Sequence, residues 1–424
     1  MLRRTAAVLV TLIALVAAWR LVTPQQTSGV RQQLTFLRAQ LDSGAAQEAQ
    51  QLFPEGYFFL YALYGLAHVD LGRTAVDPAE HVRESRWALA RLETPAGRAP
   101  FPPGLTPAYG VFYQGWTNWL RGGILSLAPD PALEREFESA SAALATAFDA
   151  ARTPYLTAYP GQAWPVDSTV AMASLRLHDK LRPARYAGTI DRWLAGVRER
   201  LDPATGLLPH TVDPVSGEST SGARGTSQSI IQRFLVDIDP AFGRSQYLRF
   251  RSLFVVRPLG LGPAVREYPV GQNGPGDVDS GPLPLGVSLS ATAVTLGAAA
   301  VQGDGRLAGA LANYGELIGV PVSTPWSKRY AAGVLPIGDA FLAWSKTARP
   351  WVAAPPTPLP PGVGRTWRLP LLAVLALVVL VGWLPVARRS ARRGGSAVPP
   401  VDPGDAVPVG AGSAGAGDDE AGAG

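Results

Sequence analysis

The residues best suited to chemistry are carboxylates set in loops, joined by one histidine. The glycine- and proline-broken stretch 272–282 carries Asp277 and Asp279 and leads into an apolar segment, 283–301. In the plain reading, Asp279 or Ser280 caps that helix and Pro282 occupies its first turn. An ion or sugar site at a helix start uses the same geometry, so both carboxylates are also catalytic candidates. A second stretch, 155–168, places Asp167 at the start of another helix with Tyr159 and Trp164 nearby; capping is its alternative role. A third, 201–227, holds His210, Asp213, Glu218, Arg224 and Ser227, with Asp213–Gly217 forming a turn. His210 is one of four histidines and the one in a long loop, where exposure to solvent is the alternative to a role in chemistry. The loop 255–281 adds Arg266, Glu267 and Tyr268, and Trp326, Lys328 and Tyr330 precede the last helix of the central region.

Carboxylates a few ångströms apart, one of them protonated, are the equipment of general acid–base chemistry at C–O bonds. Aromatic platforms suit sugar rings and isoprenoid chains alike. The catalytic candidates are therefore Asp167, Asp277, Asp279, His210 and Glu267. Tyr159, Trp164, Tyr113, Arg224, Tyr268, Trp326 and Lys328 are the candidates for holding a substrate. No metal or cofactor is expected. The pair Asp277 and Asp279 lacks the further ligands of an EF-hand loop, and no Walker, dinucleotide-binding or nucleophile-elbow glycine pattern occurs. The chain has no cysteine, which excludes disulfides, zinc–thiolate sites and a thiol nucleophile. Its net charge of +5 is local, concentrated in Arg388, Arg389, Arg392 and Arg393, and does not describe a nucleic-acid surface.

The elements that must position these side chains are helices. Between residues 27 and 346 the apolar spacing is helical, and Gly and Pro punctuation divides it into twelve segments. These are 27–45, 56–71, 78–94, 108–127, 131–149, 167–180, 183–200, 225–236, 240–254, 282–301, 304–318 and 332–346. Connections after even-numbered segments are short, whereas those leading into them are nearly all long: 94–107, 150–166, 201–224, 255–281 and 319–333. In up-and-down packing the long loops gather at one end. The all-α architecture this predicts is an (α/α)6 toroid of six helical hairpins, spanning 25–348, with a cleft on its long-loop face.

Two apolar runs flank it. Residues 1–22 have the charged start and apolar stretch of an export signal, read as an uncleaved signal anchor over a peptide cut after Val16-Ala17-Ala18. Residues 367–387 form a transmembrane helix bordered by Trp367 and Trp383 and stopped by the arginine block. That places the tail, 388–424, in the cytoplasm, basic and then disordered, and the central domain outside it. The six prolines of 350–364 suggest a stiff spacer, 349–366, lifting the domain off the bilayer. The lipid bilayer and a small-molecule or glycan ligand in the cleft are the expected partners; nucleic acid is not.

The segment Gln162-Ala163-Trp164-Pro165-Val166-Asp167-Ser168-Thr169 resembles the linalool dehydratase/isomerase family. So do Asp213-Pro214-Val215-Ser216-Gly217, the stretch from Asp239 to Tyr247, and Asp279-Ser280-Gly281 running to Gly303-Asp304. The resemblance covers roughly 155–319 and rests on the order of these motifs. It implies an (α/α)6 toroid outside the cytoplasm and reversible hydration and isomerisation of a monoterpene alcohol. It also implies two catalytic cysteines, which fall at Asp167 and near Ala158, and a catalytic histidine without a counterpart where the chain reads Tyr113-Gln114-Gly115-Trp116-Thr117-Asn118. The fold carries over and the cysteine chemistry does not. Asp167, an acid at a cysteine position, becomes the first catalytic candidate of a lyase, hydratase or hydrolase acting on an alcohol or envelope glycan. The alternative is a non-catalytic binding or scaffold module of the envelope using the same cleft.

Overall fold

The computed structural model describes residues 2–394 apart from 26 and 28. It is mostly helical. In chain order the helices are α1 (Leu2–Val22), α2 (Val30–Asp42), α3 (Ala45–Leu52), α4 (Gly56–Gly72), α5 (Ala79–Leu92) and α6 (Pro95–Arg98). They continue with α7 (Gly110–Leu125), α8 (Pro131–Ala150), α9 (Pro165–Leu181), α10 (Ala187–Glu199) and α11 (Gly225–Ile238). Last come α12 (Pro240–Phe254), α13 (Leu289–Val301), α14 (Gly305–Ile318), α15 (Pro336–Thr347) and α16 (Leu369–Gly394). Each of the twelve expected segments contains a helix. Asp130 and Asp239 cap α8 and α12 with Pro in the first turn, each accepting from two backbone N–H groups, as their Asp-Pro sequences imply.

Three expectations are corrected. The first segment, 27–45, yields a helix that ends at Asp42, and a further helix, α3, occupies the connection after it, set off by the left-handed backbone of Gly44 (φ 99°). The segment expected to open at Pro282 opens at Leu289, capped by Ser288, so neither Asp279 nor Ser280 caps it. Instead the Asp277 carboxylate accepts from the N–H groups of Asp279 (3.1 Å) and Ser280 (2.9 Å), closing a turn upstream of a left-handed residue, Leu285. Nor is the proline-rich stretch a free spacer. Leu359 N–H donates to Gly303 O (3.0 Å), Gly362 N–H to the Asp304 carboxylate (3.1 Å), and Arg251 to Pro360 O (2.7 Å), while Trp351, Leu359 and Val363 are buried. Proline stiffens a strap as well as a spacer, and here the strap is bound. The tail 395–424 lies outside the described residues.

The chain divides into two compact units, one made of the residues up to Ala14 with those from Ala376, the other Leu15–Leu375. The first comprises the outer parts of α1 and α16, where Trp383 Nε1–H donates to Thr11 Oγ1 at 3.0 Å. Both helices are long and apolar enough to cross a membrane, over Arg3–Val22 and Arg365–Arg388.

In the larger unit, α4 packs on α7, α7 on α9, α9 on α11, α11 on α13, α13 on α15, and α15 on α4. These six, called the inner helices from here on, bury most of their residues, whereas α5, α8, α10 and α12 bury one side. Aromatic rings fill the space between the inner helices. Trp116 meets Phe234 and Trp344 at 5.4 and 5.7 Å, and Trp119 stacks on Trp351 at 4.4 Å.

Trp351 seals the C-terminal ends of the inner helices. Its Nε1–H donates to Asp70 of α4 (2.7 Å), and Asp237 of α11 accepts the backbone N–H groups of Trp351, Val352 and Ala353. Arg233 pairs with the other Asp70 oxygen at 3.0 Å, and a Cβ on Gly123 would fall 2.5 Å from the indole. At the base of α1, Asn313 of α14 donates to the carbonyls of Arg20 (2.9 Å), Leu21 (3.0 Å) and Thr23 (2.5 Å), and Arg368 donates to Leu21 O (2.6 Å). Trp351→Ala should destabilise the fold by about 3–5 kcal/mol, the usual cost of emptying a buried aromatic site. Denaturant titration of the detergent-solubilised chain reads this, and a loss under about 1 kcal/mol would contradict the wedge.

Candidate functional site

The N-terminal ends of the inner helices carry the groups suited to chemistry. Pro165 and Asp167 lie in the first turn of α9, whose cap position is Trp164. Asp167 therefore does not cap the helix. It is 4% exposed, and no hydrogen bond reaches its carboxylate among the described residues. Burial pushes its pKa well above the ordinary 3.8, and the nearby charges of Glu55 and Asp279 push it further. The N-terminal dipole of α9 favours the anion, but burial and two like charges oppose it.

Glu55 occupies the cap position of α4 without making a side-chain cap, and accepts a hydrogen bond from the Tyr159 hydroxyl. Burial and then Glu55 hold Tyr159 in its protonated form. A tight turn bridged between Tyr159 and Gln162 presents that ring, which stacks on Phe101 (5.9 Å) and stands edge-on to Trp164 (5.8 Å). Asp279 is exposed as a residue, yet the protein atoms crowding its carboxyl push it up to about 6. Asp277 and Glu55 add to that shift and Arg224 opposes it.

Beside these acids lies a charge-compensated group centred on Arg224, the cap residue of α11. Its Nε pairs with Glu267 at 2.7 Å, its Nη2 with Asp277 at 2.6 Å, and the guanidinium lies 5.3 Å from the Tyr268 ring. Glu267 is fully buried and also accepts from Thr226 N–H (3.1 Å) and Oγ1 (2.8 Å), so its carboxylate secures the start of α11. Burial raises the Glu267 pKa, with Arg224 and Thr226 working against the shift. For Asp277 burial is outweighed by the Ser280 N–H and Arg224, and its pKa falls. His210 is not an exposed loop residue: it is buried with Nδ1 2.6 Å from Ser227 Oγ. Burial, then Arg224, push it down to about 4, against the pull of Asp277.

The structure thus brings Asp167, Asp279, Tyr159 and Trp164 together, with Asp277, Glu267, Arg224, Tyr268 and His210 as the adjoining wall. It leaves three candidates elsewhere. Tyr113 is a core residue, its hydroxyl receiving from Arg98 (3.1 Å) and donating to Leu92 O (3.2 Å). Lys328 belongs to a buried cluster with Glu316 (2.7 Å), Tyr330 and Lys346. Trp326 is exposed in the turn between two short strands, β1 (Val322–Ser323) and β2 (Lys328–Arg329). Sequence reasoning passed over Glu55, although it precedes an inner helix just as the loop acids do. Among the described residues no three His, Asp or Glu side chains form a metal-ligand set. An open depression of about 390 Å³ between Arg176, Asp191, Asp239 and Val352 lies at the Trp351 end, away from the acid cluster. No protein-family model matches the chain, and no curated protein matches it.

The folded chain holds the Asp167 proton more tightly than the unfolded chain does. Stability is therefore lost as pH rises from the ordinary 3.8 towards the folded value. Asp167→Asn should stabilise the protein at neutral pH and leave it unchanged at the acid end, as thermal melts across pH will show. Arg224→Ala strands Glu267 as a buried charge and should cost about 3–5 kcal/mol. Adding Glu267→Gln should recover part of that loss in denaturant titrations.

Proposed function

We propose that the chain is a membrane-anchored acid–base enzyme whose helical domain is an (α/α)6 toroid outside the cytoplasm, acting on C–O bonds of an alcohol or an envelope glycan. Asp167 carries this reading: a buried carboxyl, free of hydrogen bonds among the described residues, beside Glu55 and Asp279. Burial and the two like charges favour the protonated form of this carboxyl, the form that gives a proton to a leaving oxygen. A neighbouring carboxylate then takes the balancing proton. In a dehydration, Asp167 protonates the departing hydroxyl, which leaves as water, while Glu55 or Asp279 removes a proton from the adjacent carbon to form the alkene. Hydration is the reverse, and in a hydrolysis the same carboxylate activates the attacking water. The Tyr159 and Trp164 rings offer apolar faces to the substrate, and Arg224 fixes the wall.

The toroid reading is supported by the circuit of six inner helices and by the alternation of long and short connections, and it accords with the resemblance to the linalool dehydratase/isomerase family. Topology follows from charge: Arg3 and Arg4 precede one apolar helix and the arginine block ends the other, so both termini lie in the cytoplasm. Retention of α1 as an anchor is supported by the hydrogen bonds that Asn313 and Arg368 make to its last turn.

The full chain in detergent should turn over a member of a panel of terpene alcohols and envelope glycans. Its rate should fall as pH rises and Asp167 loses its proton, and Asp167→Asn should reduce it at least about 100-fold, as expected for losing a general acid. Turnover unaffected by that substitution would reject the site. Asp167-dependent binding without turnover would favour the envelope binding module.

A further inference from the structure

Among the exposed apolar residues of the larger unit, two groups lie beside the end of α1 and the start of α16, both of which belong to that unit. In the loop cluster around β1 and β2, Val320, Val322, Trp326, Val334 and Leu335 are exposed, Trp326 at 76%. This cluster abuts the end of α1, whose Arg20 Nη2 donates to Pro321 O at 3.2 Å. The turn Pro258-Leu259-Gly260 leaves Leu259 81% exposed. It abuts the start of α16, since Arg257 Nη2 donates to both Gly260 O (2.6 Å) and Trp367 O (3.4 Å).

Scattered apolar side chains on a surface need no explanation. These differ in two ways. Leu259 and Val320 hold left-handed backbone, φ 53° and 41°, a conformation costly for a branched side chain, and fold stability gains no buried contact in return. They are also interspersed with cations: Arg257 and Arg365 are exposed, while Arg20 and Arg368 are half-buried at the helix ends. Apolar loop tips and Trp rimmed by arginine, continuous with membrane-spanning helices, match the interface of a bilayer with anionic headgroups.

We propose that the Leu259 turn and the β1–β2 loops rest in the lipid interface, seating the domain directly on the membrane. This rests on the reading of α1 and α16 as membrane helices. Because the chain has no cysteine, each site can be probed by a single labelled one. Leu259→Cys, Trp326→Cys, Leu377→Cys within α16 and Val76→Cys, an exposed control, would each carry an environment-sensitive fluorophore. The full chain is reconstituted in phosphatidylcholine–phosphatidylglycerol vesicles containing nitroxide lipids.

The expected result is blue-shifted, quenched emission at 259 and 326 with shallow nitroxides, deep quenching at 377, and neither effect at 76. Quenching at 377 with water-like emission at 259 and 326 would overturn the seating alone. Absence of quenching at 377 would overturn the membrane-helix reading and the seating together. Blue shifts at 259 and 326 that appear in detergent and grow with protein concentration would assign the patch to a second copy of the chain and overturn the proposal.

Discussion

The structure depends on how it closes the C-terminal ends of its inner helices. Backbone carbonyls there have no helical partners, and the facing side chains include two buried carboxylates, Asp70 and Asp237. A single segment satisfies both acids: the Trp351 indole N–H serves Asp70, and three consecutive backbone N–H groups serve Asp237. Arg233 supplies the compensating charge and lies 3.6 Å from the Trp344 ring. Even so, burial leaves Asp70 raised to about 6, with Arg233 opposing the shift. Polar ends and aromatic filling are solved by one insertion.

With that end closed, the opposite ends of the same helices bear the polar groups that are not neutralised internally. The contrast lies within a few residues. Glu267 and Asp277 share an ion pair with Arg224 and act as structure; Asp167 and Asp279 have no ion pair among the described residues, and each has a raised pKa. Burying an acid without a partner lowers stability, and carboxyls shifted by burial and like charges in this way mark the candidate functional site.

The sequence made the helices legible because their apolar spacing and Asp-Pro starts are local signals. It did not show which acids would be compensated, since Arg224 and Glu267 stand 43 residues apart. Proline content could not distinguish the strap from a spacer, because the difference lies in distant acceptors such as Gly303 O and Asp304. Pro282 suits a first helical turn, yet Leu285 adopts φ 55°, and α13 begins four residues after it at Leu289, capped by Ser288. Glu55 went unnoticed for want of a motif around it.

The knot of hydrogen bonds at the base of α1 also orders the molecule in time. The carbonyls of Arg20, Leu21 and Thr23 find their donors in Asn313 and Arg368, almost the whole length of the domain later in synthesis. The first helix must therefore leave the ribosome and wait, its last turn unfinished, while nearly all of the intervening chain is made. Contacts this remote in sequence are slow to close and need both ends of the domain to have been made, and a chain truncated before Arg368 would lack one of the donors that finish the first helix.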